Sequence, residues 1–198
     1  GAAGGSRAAA SVLRGLNTLA GAGLSPQELA SIGEEVGSDV PYCVLGGTAL
    51  AQGRGETLSP LPPLPDCFLV LCKPRFSIST PALFRTWDKA KRHLRPDTRG
   101  VIAALERGDL VGLAQRMFNV FEAVLPPHQH RDIEGIKTTL LQAGALGAAM
   151  SGSGPTVFGL FSQEAAARKA VAVLQEDYDE VYLTHPLPAH GASCQIPV

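Results

Sequence analysis

The sequence predicts an α+β fold built in two parts, and three features carry that expectation. After residue 66, stretches of strand composition alternate with stretches of helical periodicity. GAAMSGSGPTVFGLF sets a small-residue turn between two apolar runs, which pairs those runs antiparallel. LSPLPPLPD concentrates proline and marks the best boundary in the chain. A sheet with helices on one side buries the apolar faces of both kinds of element. The two parts are expected over residues 1–60 and 61–198.

The elements follow in order. From Ser6 to Ala20, apolar residues such as Ala9, Val12, Leu13, Leu16 and Leu19 recur at helical spacing, with Ser6 as the expected N-cap. GAGLSPQE stops that helix and starts another. Ser25 and Glu28 form a capping box there, with Pro26 at the first helical position. This second helix is expected to end at Gly37. SDVPYCVLGGTALAQGRGE is expected to be a loop leading into one or two short strands. CFLVLCKP has the compact apolar character of a buried strand. STPALFRTWDKAKR reads as a helix, with further helices over about 97–107, 109–124 and 131–143. QEAAARKAVAVLQE gives another helix and EVYLTHPL a closing strand. There is no internal repeat.

Composition narrows the class. The chain has 198 residues, 45% of them hydrophobic and 18% charged, enough for a real core. Lys and Arg number 17 against 18 Asp and Glu, a net charge of −1, so the sequence has no basic footprint for nucleic acid or an acidic membrane. No apolar run reaches the length of a membrane span. The first residues lack the layout of a signal peptide. Gly1 stands where a gene product has Met, so the sequence reads as a processed chain or a fragment. Cys43, Cys67, Cys72 and Cys194 form no C-x-x-C pair, and buried reduced thiols are expected.

Several stretches admit a chemical and a purely structural reading. In GAAGGSRAAA, glycines would let backbone N–H groups converge on an anion, and the helix start would add partial positive charge. The Lys-Ser/Thr ending of a Walker A loop is missing, and a flexible terminus entering a capped helix has the same look. Asp39, in GSDVP, is either a turn residue before a pre-proline position or a carboxylate shown to a site. MSGSGPTVF is either a tight hairpin or a second backbone wall beside phosphates. His128 and His130 form an H-x-H in a proline-flanked loop; no third ligand is in view, and no metal site is expected. His93 lies in KAKRHLR, expected to be a solvated basic face. Phe84 and Trp87 stand at helical spacing as packing residues, Phe84 sharing its helix start with Thr80.

Taken together, GAAGGSRAAASVLRGLN, VGSDVPYCVLGGTALAQGRGETLSPLPPLP, KPRFSISTPALFRTWD, MFNVFEAVLP and GALGAAMSGSGPTVFGLF resemble the GHMP kinases from residue 1 to about 185. GSDVP with its LGGTALAQGRGE continuation, and KPRFSISTPALF, resemble the branch that phosphorylates a cytidylated methylerythritol in the non-mevalonate isoprenoid route. The resemblance implies a GHMP kinase fold: a remnant of a ribosomal S5-like N-terminal, ATP-binding domain followed by a ferredoxin-like C-terminal domain. It implies ATP and Mg²⁺ as cofactors, a small-molecule substrate, no nucleic-acid or membrane partner, and a cytoplasmic location.

Residue by residue, the resemblance assigns Gly1, Gly4, Gly5 and Ser6 to the loop around the ATP phosphates. Asp39 becomes the base for the substrate hydroxyl. Thr80 and Phe84 fall near the methylerythritol end of the substrate. Gly152, Ser153 and Gly154 become the glycine motif that supports the phosphate loop. Arg7 and Ala8 replace a serine and an acidic or amide residue of the family pattern, and Ala2 and Ala3 replace a leucine and a glycine. The chain is expected to begin inside the phosphate loop, without the family's strands that carry a lysine beside the aspartate. Gly1 to Gly5 are then expected to fray. Two alternatives remain open: a truncated or degenerate non-catalytic chain, and a GHMP kinase for another small alcohol.

Overall fold

The computed structural model describes residues 4–53, 55–90 and 95–187. The chain divides into two compact units, with the change at Pro63 and Leu64, inside the proline-rich stretch.

The first unit contains α1 (Gly4–Leu19), α2 (Pro26–Val36), α3 (Val40–Leu45), β1 (Thr48–Gln52) and β2 (Thr57–Leu61). The turn between α1 and α2 is tied by Asn17, whose amide donates to the Leu24 carbonyl at 3.0 Å and accepts the Leu24 N–H at 2.9 Å. The capping box of α2 forms as expected: the Glu28 N–H donates to Ser25 Oγ, and the Ser25 N–H donates to Glu28 Oε2. Ala10, Leu29, Ala30, Val40 and Val44 make the small core of this unit. Gly33 lets α3 come close, since a Cβ there would stand 2.7 Å from Val40 Cγ1.

Two expectations fail here. The expected loop after Gly37 contains α3, which starts one residue before Pro41, a residue suited to the first turn because that turn's N–H groups have no intrahelical partner anyway. The expected connector LSPLPPLPD gives its first half to β2, which pairs antiparallel with β1 and sets Pro60 opposite Ala49. A two-stranded ribbon tolerates proline because both its strands are edges.

The second unit contains β3 (Phe68–Lys73), α4 (Thr80–Lys89), α5 (Thr98–Glu106), α6 (Leu110–Ala114), a 3₁₀ segment (Val120–Val124), α7 (Pro127–Gln142), β4 (Gly147–Met150), β5 (Val157–Phe161), α8 (Glu164–Leu174) and β6 (Glu180–Thr184). The four strands form one antiparallel sheet in the order β4-β5-β3-β6. That order, with α7 and α8 packed on the sheet, is the expected ferredoxin-like arrangement. Val70, Cys72, Ile136, Leu140, Val157 and Phe161 are fully buried between sheet and helices. Truncating one of the large aliphatic residues there to Ala would cost about 2–5 kcal/mol.

The helix expected over 109–124 breaks into α6, a non-helical stretch and the 3₁₀ segment. Asn119 causes the second start: its side-chain Oδ1 accepts the Phe121 N–H at 2.9 Å, competing with a helical ladder. The helix expected from residue 131 begins earlier, at Pro127, so His128 and His130 lie in its opening turn and not in a loop. Among the described residues, no helix is long and apolar enough to cross a membrane.

Candidate active site

In the first unit the candidate residues sit on two helix starts. α1 begins at Gly4, so Gly4, Gly5 and Ser6 form its first turn. They are not a loop before it, and Ser6 is not its N-cap. For Gly4 and Gly5 this also replaces the expected fraying with helix. Gly1, Ala2 and Ala3 lie outside the described residues. The first turn of α1 carries no acidic side chain, and a Cβ on Gly4 or Gly5 would meet nothing within 4 Å. The first N–H groups of a helix have no intrahelical partner and carry its partial positive charge, which suits an anion. Arg7 follows immediately and opposes the helix dipole, at roughly 0.3–1 kcal/mol.

Asp39 stands at the N-cap position of α3, with φ −88° and ψ −10°, yet its side chain makes no capping bond. Its carboxylate is exposed. The turn of the β1–β2 hairpin passes it: a Cβ on Gly55, at φ +111°, would lie 3.8 Å from Asp39 Oδ1. Arg14 reaches from α1 to the far end of α3, donating to the carbonyls of Cys43 and Val44. Burial pushes the Cys43 thiol up, Arg7 and Arg14 pull it down, and Asp39 pushes it up.

In the second unit the structure brings together Thr80 and Ser153, whose hydroxyl oxygens are 2.8 Å apart. Thr80 opens α4, whose N-cap Ser79 makes no side-chain bond to it. Ser153 lies between Gly152 at φ +55° and Gly154 at φ +76°, conformations that favour glycine. The connection runs from Ser151 to Thr156, closed by the Ser151 N–H on the Thr156 carbonyl at 2.7 Å, and is longer than the tight hairpin of the structural reading. A Cβ on Gly154 would collide with the Met150 sulfur and Ile78. Phe84 is 49% exposed and meets Phe121 edge-on, with centroids 4.9 Å apart; Trp87 meets the same ring at 6.4 Å. Packing alone would bury Phe84 further.

Sequence reasoning missed Asn119 and Glu122, which hold the glycine turn from beneath. Asn119 Nδ2 donates to the carbonyls of Met150 and Gly152, each at 2.7 Å, and Glu122 Oε1 accepts the Met150 N–H at 2.7 Å. The available signal was a polar pair interrupting the apolar run MFNVFEAV. Cys67 and Cys72 are buried free thiols, Cys43 is only partly buried, and Cys194 and residues 91–94, with His93, lie outside the described residues. Among the described residues, no group of three or more His, Cys, Asp or Glu side chains could hold a metal.

Sequence comparison meets this geometry at both ends. Residues 1–47 match the profile of the GHMP kinases N terminal domain, and residues 101–180 match that of GHMP kinases C terminal. The chain belongs to the GHMP kinase family. Within this family it is 46% identical over 190 residues to a 4-diphosphocytidyl-2-C-methyl-D-erythritol kinase of Moorella thermoacetica, covering 94% of the chain and 66% of that relative. It is 44% identical over 187 residues to the kinase of the same name in Enterococcus faecalis, covering 94% of the chain and 65% of that relative. A crystal structure of 4-(cytidine 5'-diphospho)-2C-methyl-D-erythritol kinase superposes with a TM-score of 0.75 at 28% identity, covering 92% of this chain and 64% of that one. The GHMP kinase chain therefore spans a little under two thirds of the length of the relatives it matches.

Proposed function

We propose that the chain is the larger part of an ATP-dependent kinase that phosphorylates the 2-hydroxyl of 4-diphosphocytidyl-2-C-methyl-D-erythritol. The observation that carries this reading is the 46% identity to a kinase of that name over 94% of the chain. The reaction would belong to non-mevalonate isoprenoid synthesis and run in the cytoplasm. Residues 1–60 would serve the nucleotide, and residues 61–198 would form the C-terminal domain.

Phosphoryl transfer is mostly positioning and charge stabilisation. Gly1, Gly4, Gly5 and Ser6 are the chain's phosphate-binding residues in this reading, offering backbone N–H groups and the positive end of α1. Asp39 is the base: its carboxylate is exposed and not spent on capping α3, so it is free to take the proton of an alcohol. Thr80 and Phe84 would hold the methylerythritol end, and Gly152, Ser153 and Gly154 would support the phosphate side. Mg²⁺ would supply charge neutralisation on the phosphates. It is a hard cation that keeps several waters and needs few protein oxygens, and the exposed Asp39 carboxylate would supply one.

A second reading, a chain that binds ligand without turning it over, is favoured by Arg7 in the first turn of α1. One assay separates them. With ATP, Mg²⁺ and the cytidylated alcohol, ADP release that Asp39→Asn abolishes is the expected result. No ADP from the parent chain would overturn the kinase reading for this chain. Faster ADP release with another small alcohol would overturn the substrate assignment.

A further inference from the structure

We propose that Asn119 and Glu122 are positioning residues that hold the Gly152–Gly154 turn in shape for the nucleotide's phosphates. The proposal rests on the reading of that turn as part of the phosphate side.

The bonds converge on one strand end. Met150 closes β4, and Ser151 pairs with Thr156 across the turn. In an antiparallel ladder the residue beside such a bonded pair turns its N–H and C=O away from the partner strand. Met150 therefore directs both groups outward, where no strand lies. Glu122 Oε1 takes its N–H, and Asn119 Nδ2 takes its C=O. The same Nδ2 also holds the Gly152 carbonyl, one residue before Ser153. Asn119 is oriented in turn by the Phe121 N–H on its Oδ1, which fixes the amide with its donors toward the turn.

Glu122 is held as firmly. Its Oε2 takes Lys137 Nζ at 2.6 Å, and that ammonium also reaches Glu134 at 2.7 Å. The Glu122 and Lys137 side chains are only 14% and 18% exposed, so their pairing is shielded from solvent. Burial acts to lower the Lys137 ammonium, but its bonds and charges from Glu122 and Glu134 outweigh that and hold it charged. A largely shielded, doubly paired cation fixes the carboxylate that fixes the backbone. Chemistry of this kind sets the shape of a loop, which global stability alone does not require.

The test uses the full chain and two readouts. Asn119→Asp keeps the acceptor for Phe121 and replaces Nδ2, the donor to both carbonyls, with an oxygen that faces them. It should raise KM for ATP about tenfold while moving KM for the cytidylated alcohol less than about twofold. Glu122→Ala should do the same, and Glu122→Gln, which keeps one oxygen for Met150 but sets its amide nitrogen against Lys137, should recover only part of the loss. Arg75→Ala, in an exposed ion pair with Asp179, is the control. Equal changes in both KM values, or none, would overturn the proposal. The second readout needs no turnover: amide exchange at Gly154, bonded to the Ser151 carbonyl at 2.9 Å, should quicken about tenfold in Asn119→Asp, with Val70 unchanged. Unchanged Gly154 exchange would also overturn it. A parent chain without turnover defeats the kinase reading alone and leaves the exchange measurement to decide.

Discussion

Thr80 Oγ1 and Ser153 Oγ lie 2.8 Å apart, joining the first residue of α4 to the middle of the glycine turn. In the proposed kinase these residues belong to the substrate end and the phosphate side. A single hydroxyl pair thus ties the start of α4 to the glycine turn. Thr80→Val keeps the side chain's shape and removes the bond. It is expected to cost about 0.5–1.5 kcal/mol in urea unfolding and to raise KM for the cytidylated alcohol several-fold. Thr80→Ser should restore both.

Asp39→Asn should leave thermal unfolding within a degree or two of the parent, because the carboxylate is exposed and makes no capping bond. ADP release should fall by about 10²–10⁴ if Asp39 is the base. A large drop in Tm would mean instead that the carboxylate holds α3 in place.

The two glycines of the turn should differ. Gly152→Ala meets only the cost of a left-handed conformation, about 1–2 kcal/mol, since nothing lies within 4 Å of its Cβ position. Gly154→Ala adds a collision with Met150 and Ile78 and should cost roughly 2–4 kcal/mol. Denaturant midpoints of the two variants check the ranking.

The buried thiols set an alkaline limit. Burial pushes the Cys72 thiol from 9.0 up to about 12, and burial with the nearby Asp66 charge pushes Cys67 up to about 11. A raised folded value means the unfolded chain loses these protons first. The stability they contribute is complete below pH 9 and declines as pH rises toward 11 and 12. Urea midpoints should therefore fall between pH 9 and 11, and Cys72→Ala should flatten that slope. A thiol reagent at pH 8 should reach partly exposed Cys43 well before Cys67 or Cys72.

Local chemistry was legible where a few residues decide it. Ser25 and Glu28 specify a helix start by themselves, and the apolar runs of β3 and β5 have no alternative to burial. The alternation of elements after residue 66 pointed to an α+β sandwich, while its ferredoxin-like order was implied only by the family resemblance. What escaped depended on partners remote in sequence. VPYCVL has the composition of a strand or loop, yet it becomes helix because Val40 packs on Gly33 and Arg14 holds its last carbonyls. TLSPL pairs as a strand because β2 is an edge of a two-stranded ribbon, a place where a proline is tolerated. Asn119 was expected inside a helix over 109–124. Its role lies in carbonyls some thirty residues away, which no local pattern announces.

The outward backbone groups of Met150 are also those that an added strand would grip. With Glu122 and Asn119 already on them, and Gly147 pressed against the Ala114 carbonyl at the other end, β4 offers a foreign segment little to zip onto. The side chains proposed to shape the phosphate side thus also protect the molecule from sheet-to-sheet self-association. A variant such as Asn119→Ala should reveal this as slow aggregation at high concentration, even where the fold itself survives.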